Sequence, residues 1–94
     1  MQESTNKFNE TLFLVNNEPV MKTALEVLSK LENTSEIRIK GKGENCPAAV
    51  AVANIITENI LKGKSKTGKI IVDSNITDGG YMISTIEISI KKNS

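Results

Sequence analysis

The stretch TLFLVNNEPVM, residues 11–21, joins a short apolar strand directly to the start of a helix. Residues 11–15 are rich in Leu, Phe and Val, a composition typical of a buried strand. Pro19 fits the first turn of a helix, because its fixed φ suits a position whose amide makes no helical hydrogen bond. The chain therefore begins its folded part with a strand followed at once by a helix.

This first helix is predicted to be amphipathic. Apolar residues recur three and four positions apart between Val20 and Leu31, and charged residues occupy the opposite face at a spacing that favours ion pairs. One face should therefore be buried. The polar residues 33–35, Asn-Thr-Ser, are predicted to end the helix.

Residues 36–42, EIRIKGK, alternate between polar and apolar side chains and predict a strand. Ile37 and Ile39 should face inward. The polar positions should share the outer side of the sheet. The basic residues at these positions are Arg38, Lys40 and Lys42.

Pro47 predicts a second helix that runs to about Leu61. Every residue from 48 to 53 is apolar, so a single sheet face cannot cover this helix and a second partner surface is implied. We therefore predict that the helix and the strand after it serve both as core and as a dimer interface. The predicted interface residues are Ile55, Ile56, Ile60, Leu61 and Ile71.

The remainder of the chain predicts a solvated loop and a hairpin. Residues 62–69, KGKSKTGK, are typical of a mobile loop, residues 70–76 of a strand, residues 78–80 of a turn, and residues 81–91 of a last strand. In the last strand isoleucines alternate with polar residues, so one face of the sheet should be covered and the other wet.

The predicted fold is a two-layer α/β sandwich, with a four-stranded mixed sheet, two helices and the order βαβαββ. Residues 1–10 are predicted to form a flexible N-terminal arm, and residues 11–92 a single domain. There is no run of about 18 apolar residues, and the N-terminus is too polar for a secretory signal. We therefore expect a cytoplasmic protein.

Composition removes most enzymatic chemistry. The chain has no histidine and one cysteine, Cys46, so it has no internal disulfide, imidazole base or histidine-containing metal site, and we predict neither a metal nor catalysis. Without a histidine as base, Cys46 is predicted to be a packing or capping residue rather than a nucleophile. Twelve basic and eleven acidic residues give a net charge of +1, so any contact with phosphate must come from local patches.

Gly41, Lys42 and Gly43 stand between a strand and a helix, as in a dinucleotide-binding fingerprint. The third glycine of that fingerprint is absent and no long parallel sheet follows, so we predict no nucleotide cofactor. The helix start at residues 45–49 could instead contact a backbone phosphate through its amide groups.

Three phrases in this order, FLVNNEPVM, SEIRIKGKG and STIEISIKK, resemble the archaeal Alba chromatin proteins. The resemblance covers residues 12–92. It implies a dimer that binds double-stranded DNA, and often RNA, without strong sequence preference, and that is associated with the nucleoid. The residues of this chain expected to contact nucleic acid are Arg38, Lys40, Lys42 and Asn45.

The chain departs from the family at several contact positions. Asn17 and Glu18 stand where the family typically has two lysines, while Glu44 and Ala48 occupy positions that are often basic. The segment 70–90 contains no lysine or arginine, although family hairpins usually carry arginine near the tip. These differences predict a weakened basic surface and an affinity below that of a typical member.

Two other interpretations stay open. The chain could be an interaction module that dimerises with a more basic paralogue or has lost independent DNA binding, as the low net charge and the hairpin without cations suggest. It could also be an RNA-selective member of the fold. One tyrosine and two phenylalanines give too little stacking surface to tell an RNA-selective member from a DNA-binding one.

Overall fold

The computed structural model describes residues 10–93, apart from the side chain of Glu10. The strands are β1 (Glu10–Leu14), β2 (Glu36–Lys42), β3 (Ser65–Ile76) and β4 (Met82–Lys92). The helices are α1 (Val20–Leu31) and α2 (Cys46–Ile55). A 3₁₀ turn (Gly43–Asn45) precedes α2, and a π-helical turn (Ile56–Ile60) extends it. The predicted two-layer fold and its order βαβαββ are confirmed.

The predicted N-terminal arm lies outside the described residues except for Glu10, which begins β1 instead of ending the arm. The four strands form one sheet in the order β1-β2-β4-β3. β1 is parallel to β2, as its connection through α1 requires, and the other two pairings are antiparallel. The sheet is therefore mixed, with β1 and β3 at its two edges.

Both helices pack on one face of the sheet, and that face holds the core. Four inward isoleucines of β2 and β4 are at most 3% exposed; they are Ile37, Ile39, Ile88 and Ile90. They pack against the buried residues of the helical layer, which include Ala24, Val27, Leu31, Ala49, Val52, Ala53 and Ile56. The inward positions predicted for Ile37 and Ile39 are confirmed.

Helix α2 lies directly against β2 at Gly41. A Cβ atom at this position would come within 2.5 Å of the Asn45 carbonyl oxygen and 2.9 Å of the Ala49 Cβ. A glycine inside a strand often marks such a close approach. The strand and the start of α2 are thus held together over a short distance, which fixes the end of β2 against the turn that follows.

β3 is longer than the sequence predicts. The sequence pattern assigns residues 65–69 to a loop, but they belong to β3: residues 65–67 pair with the end of β4, and a bulge lies between Thr67 and Ile70. The bulge is satisfied by a side chain, since the Lys69 amide donates to the Ser89 Oγ at 2.7 Å. Ser65 is 7% exposed, and its hydroxyl donates to the Leu61 carbonyl at 3.1 Å, which anchors the first residue of the strand.

The helical layer is narrower than the sheet. α2 packs over β2 and β4, whereas the principal helical contact with β3 comes from the π-helical turn. That turn is closed by the Leu61 amide, which donates to the Ile56 carbonyl at 2.7 Å, so the predicted helix end near Leu61 is reached in π rather than α geometry. Most of β3 consequently lies beyond the helices.

Two leucines of α1 provide a matched test of this packing. Leu31 is 1% exposed and Leu25 is 54% exposed. We expect Leu31→Ala to lower the free energy of unfolding by about 2–5 kcal/mol, because it removes buried methyl groups and leaves a cavity. Leu25→Ala should change it by less than about 0.5 kcal/mol. Urea unfolding followed by circular dichroism measures both; equal decreases would contradict the assigned orientation of α1.

Candidate functional site

The face of the sheet that points away from the helices carries the basic residues of β2. Inward residues of this strand are buried, and the alternating outward residues are half-buried or exposed. The outward residues are Glu36, Arg38, Lys40 and Lys42. Alternation therefore places all three predicted basic residues on one surface, which we call the outer face.

Arg38 is held by a carboxylate on the neighbouring strand. Its Nη1 donates to the Glu87 Oε1 at 3.0 Å, and the two side chains are 37% and 20% exposed. Glu87 stands opposite Lys40 in the register, so its side chain reaches diagonally to the arginine. Such a partly exposed pair adds at most about 1 kcal/mol to stability, but it orients the guanidinium and offsets its charge.

Lys40 and Lys42 carry the remaining positive charge of β2. Neither lysine forms an ion pair with any of residues 11–93. Lys42 is exposed and Lys40 is half-buried. Of the predicted triplet, these two side chains are the better placed to bind a phosphate, and Arg38 contributes mainly a fixed, partly compensated guanidinium.

Three further lysines join Arg38 across the sheet. An open cavity of about 690 Å³ lies on the outer face, and we call it the outer groove. Its charged lining consists of Glu36, Arg38, Lys66, Lys69, Glu87 and Lys91. Cations outnumber carboxylates there, so the groove favours an anion.

Lys66, Lys69 and Lys91 are site residues that the sequence pattern does not predict, because it places the first two in a mobile loop. The bulge hides the strand pattern, since the extra residue breaks the alternation between Thr67 and Ile70. Gly68 is the one available signal. A Cβ atom there would lie 2.7 Å from the Ser89 Oγ, so glycine allows the close backbone approach that a bulge needs.

Asn45 lies away from the outer groove. It ends the 3₁₀ turn, its side chain is half-buried, and it makes no capping hydrogen bond to α2. Lys42 is its nearest predicted companion along the chain, whereas Arg38 lies four residues earlier in β2, about 13 Å along the strand. The structure thus divides the predicted site into two parts, with Arg38 in the outer groove and Lys42 and Asn45 at the end of β2.

The end of β2 also carries negative charge. β1 and β2 are parallel, so the segment 16–18 after β1 lies at the same end of the sheet as Gly43–Asn45, where both strands finish. Glu44 is exposed, and Glu18 forms an exposed ion pair with Lys22 at 3.7 Å. This end of the sheet therefore repels phosphate more than the opposite end does.

Many lysines lie at the opposite end of the sheet, where β3 begins and β4 ends; we call this the lysine-rich end. The lysines in these segments are Lys62, Lys64, Lys66, Lys69, Lys91 and Lys92. β3 and β4 pair there, with Ser65 opposite Lys92 and Lys66 opposite Lys91. Neighbouring lysines repel each other, and a bound polyanion relieves this repulsion, so the lysine-rich end is a favourable position for a polyanion.

The residues predicted for the dimer interface lie in different environments. Ile60 and Ile71 are 38% and 47% exposed, and Ile71 lines the outer groove. Ile55 and Leu61 are half-buried against the core. Ile56 is 0% exposed; it belongs to the core of its own protomer and has no surface to offer a second copy.

A different apolar strip is exposed beside the helices. Ile70, Val72 and Ile76 pair with Ile88, Ile86 and Met82, so alternation places them on the helical side of the sheet. The helices do not extend over them, and they are 57–72% exposed. We call Ile60, Ile70, Val72, Ile76 and Met82 the uncovered strip. A long apolar edge strand of this kind is unusual for a protein that remains monomeric.

Cys46 makes packing contacts at the start of α2. The Cys46 Sγ lies within hydrogen-bond distance of two carbonyl oxygens, of Gly41 at 3.6 Å and of Ser84 at 3.5 Å, and its single proton serves one of them at a time. The thiol thus contacts both β2 and β4. Within residues 10–93, no group of three or more Cys, Asp or Glu residues could hold a metal ion. None of the described helices is both long enough and apolar enough to span a bilayer.

The fold is similar to two solved structures. Alba from Thermoplasma volcanium matches with a TM-score of 0.73 and 28% identity, covering 85% of this chain and 98% of that chain. ALBA1 from Trypanosoma brucei matches with a TM-score of 0.65 and 18% identity, covering 92% of this chain and 70% of that chain. The second likeness concerns the fold alone. Curated proteins give no significant sequence match.

The family model for Alba matches residues 10–74, from the first residue of β1 well into β3. That segment is more than half of the chain, and it contains both helices and the β2 motif that carried the resemblance. On this evidence the chain belongs to the Alba family, which is associated with nucleic-acid binding.

Proposed function

We propose that this protein is a small, non-enzymatic chromatin-type protein that binds double-stranded DNA, and also RNA, largely without sequence preference. The observation that carries the proposal is the outer face, where cations from β2, β3 and β4 surround one open groove. Sequence-independent binding needs cations directed at phosphates, and few contacts to base edges. Family membership supports the same class of ligand.

The proposed contacts differ in kind. Lys40 and Lys42 bind phosphates as point charges, and the Asn45 side-chain amide donates a hydrogen bond near the end of β2. Arg38, oriented by Glu87, lines the outer groove and contributes its positive charge there. The surface extends to the lysine-rich end of the sheet through Lys66, Lys69 and Lys91. No cofactor takes part in this proposal.

Binding should be moderate rather than tight. Glu18 and Glu44 bring carboxylates to the same ends of the strands as Lys42, at positions that are often basic in the family. Each phosphate contact adds about 0.9 to the slope of log affinity against log salt on duplex DNA. Nucleic acid is therefore released at lower salt from a surface with few cations, unless a second copy of the chain contributes further cations.

We further propose a homodimer, formed by the uncovered strips of two copies. The support is that this strip is apolar, exposed and lies on an unpaired edge strand. Dimerisation covers Ile60 and Val72 and doubles the number of cations presented to one nucleic acid. We expect this protein to act in the cytoplasm, in association with the nucleoid.

A heterodimer with a more basic paralogue is the second candidate, favoured by the two carboxylates at the end of β2. It predicts that the purified chain alone does not bind nucleic acid and that a second Alba-type chain copurifies with it. A homodimer that binds by itself counts against this candidate.

Single lysine substitutions test the outer face. We expect Lys42→Gln and Lys69→Gln each to lower the slope of log affinity against log salt by about 0.9 for every phosphate that the lysine neutralises. Lys30→Gln removes the same charge from the exposed surface of α1 and should leave the slope unchanged. Fluorescence anisotropy of labelled duplex DNA and duplex RNA over a KCl series gives these slopes. An equal effect of Lys30→Gln would show that only net charge matters and would overturn the assigned surface.

A charge in the uncovered strip tests the dimer. Val72→Glu places like charges from two copies in an apolar contact, so we expect a monomeric mass in light scattering at a concentration where the unsubstituted protein is dimeric. Leu25→Glu, on the exposed side of α1, should remain dimeric. A dimer that survives Val72→Glu, or an unsubstituted protein that is monomeric at every concentration, would refute the proposed interface.

A further inference from the structure

The turn between β3 and β4 holds one aromatic side chain in a defined position. The Thr77 amide donates to the Tyr81 carbonyl at 2.7 Å, and the Gly80 amide donates to the Thr77 carbonyl at 2.9 Å. The Tyr81 amide in turn donates to the Thr77 Oγ1 at 3.1 Å. These three bonds close the turn around Thr77, so the backbone that carries the tyrosine is fixed on both sides.

The ring of Tyr81 is supported on one edge and open to solvent. A Cβ atom at Gly79 would lie 3.3 Å from the ring atoms Cδ2 and Cε2, so the glycine lies against this edge of the ring. Tyr81 is nevertheless 74% exposed, more than any other large apolar or aromatic residue of the described part. The turn therefore holds the backbone of Tyr81 and leaves most of the ring surface open for a ligand to stack on.

The charges around the tip indicate what kind of ligand this ring can take. No lysine or arginine occurs in residues 70–90, and Asp78 stands exposed in the turn. A phosphate has no partner there. An uncharged planar group does, because any nucleobase offers a π-face to a tyrosine ring.

The tip is also within reach of the cationic surface. Lys42 pairs with Thr85, four residues along β4 from Tyr81, which corresponds to about 13 Å. A nucleic acid whose phosphates contact Lys42 can therefore place a nearby base at the ring. Stacking requires that this base be unpaired, because a base inside a duplex has both faces covered by its neighbours.

We propose that Tyr81 is a stacking site for an unpaired nucleobase, so that the hairpin selects single-stranded segments while the lysines bind the backbone. This proposal rests on the proposed function, because it assigns a second contact to the same nucleic acid. The hairpin contributes base contacts in place of the arginine contacts that it lacks.

The test compares oligothymidine with an abasic oligonucleotide of equal length and identical backbone, using the whole chain. Tyr81 is the single tyrosine and the chain has no tryptophan, so tyrosine fluorescence reports on this one side chain. We expect oligothymidine to quench it and the abasic strand to leave it unchanged. Tyr81→Ala should weaken binding of oligothymidine about tenfold, and Tyr81→Phe should bind within about twofold of the unsubstituted protein.

The controls separate stacking from other roles of the tyrosine. Tyr81→Ala should leave the affinity for the abasic strand, the salt slope and the dimer mass unchanged, because it removes no cation. Equal weakening for both strands, or dissociation of the dimer, would overturn the stacking site. Oligothymidine binding that is indifferent to Tyr81→Ala would overturn it as well. If neither strand binds the unsubstituted protein but duplex DNA does, the stacking site fails and the proposed function stands; if duplex DNA does not bind either, both fail.

Discussion

The burial of Ile37 and Ile39 beneath the two helices is the constraint on which the rest of the structure depends. Side chains of a strand alternate between its faces, so burying these isoleucines places Arg38 and Lys40 on the outer face. The same register sets Ile39 opposite Ile88 and Lys40 opposite Glu87. A slip of one residue would bury the cations and expose the isoleucines, and for that reason the core itself maintains the basic surface.

The helical layer is narrower than the sheet, so it leaves the apolar side of β3 uncovered. α2 is held close to β2 at Gly41 and covers the middle of the sheet, but it does not extend over β3. An apolar strand, β3, remains exposed beside the helices, and the lysine-rich end of the sheet lies where β3 begins. One edge strand thus carries both the proposed contact between copies and part of the proposed contact with phosphate. The net charge of +1 conceals the local excess of lysine, since the total includes carboxylates such as Glu18 and Glu44 at the opposite ends of the strands.

Periodicity in the sequence is sufficient to predict the element order, the inward isoleucines and the outward cations of β2, because each follows from one local pattern. It fails for residues 65–69, where the bulge at Gly68 breaks the alternation and a lysine-rich strand has the composition of a loop. It also assigns Ile56 to an interface, although a fully apolar helix start does not show which residues its own core will bury. The position of Tyr81 depends on hydrogen bonds in a turn, which composition does not reveal.

The central claim is that nucleic acid lies on the outer face of the sheet. Mapping backbone amide chemical shifts during a titration with a short DNA duplex tests it most directly, because every strand and helix is observed at once. We expect the largest changes at Lys40, Lys42, Lys69 and Lys91, with little change at the exposed side of α1 around Leu25. Changes concentrated on α1, with the amides of β2 and β4 unmoved, would contradict it.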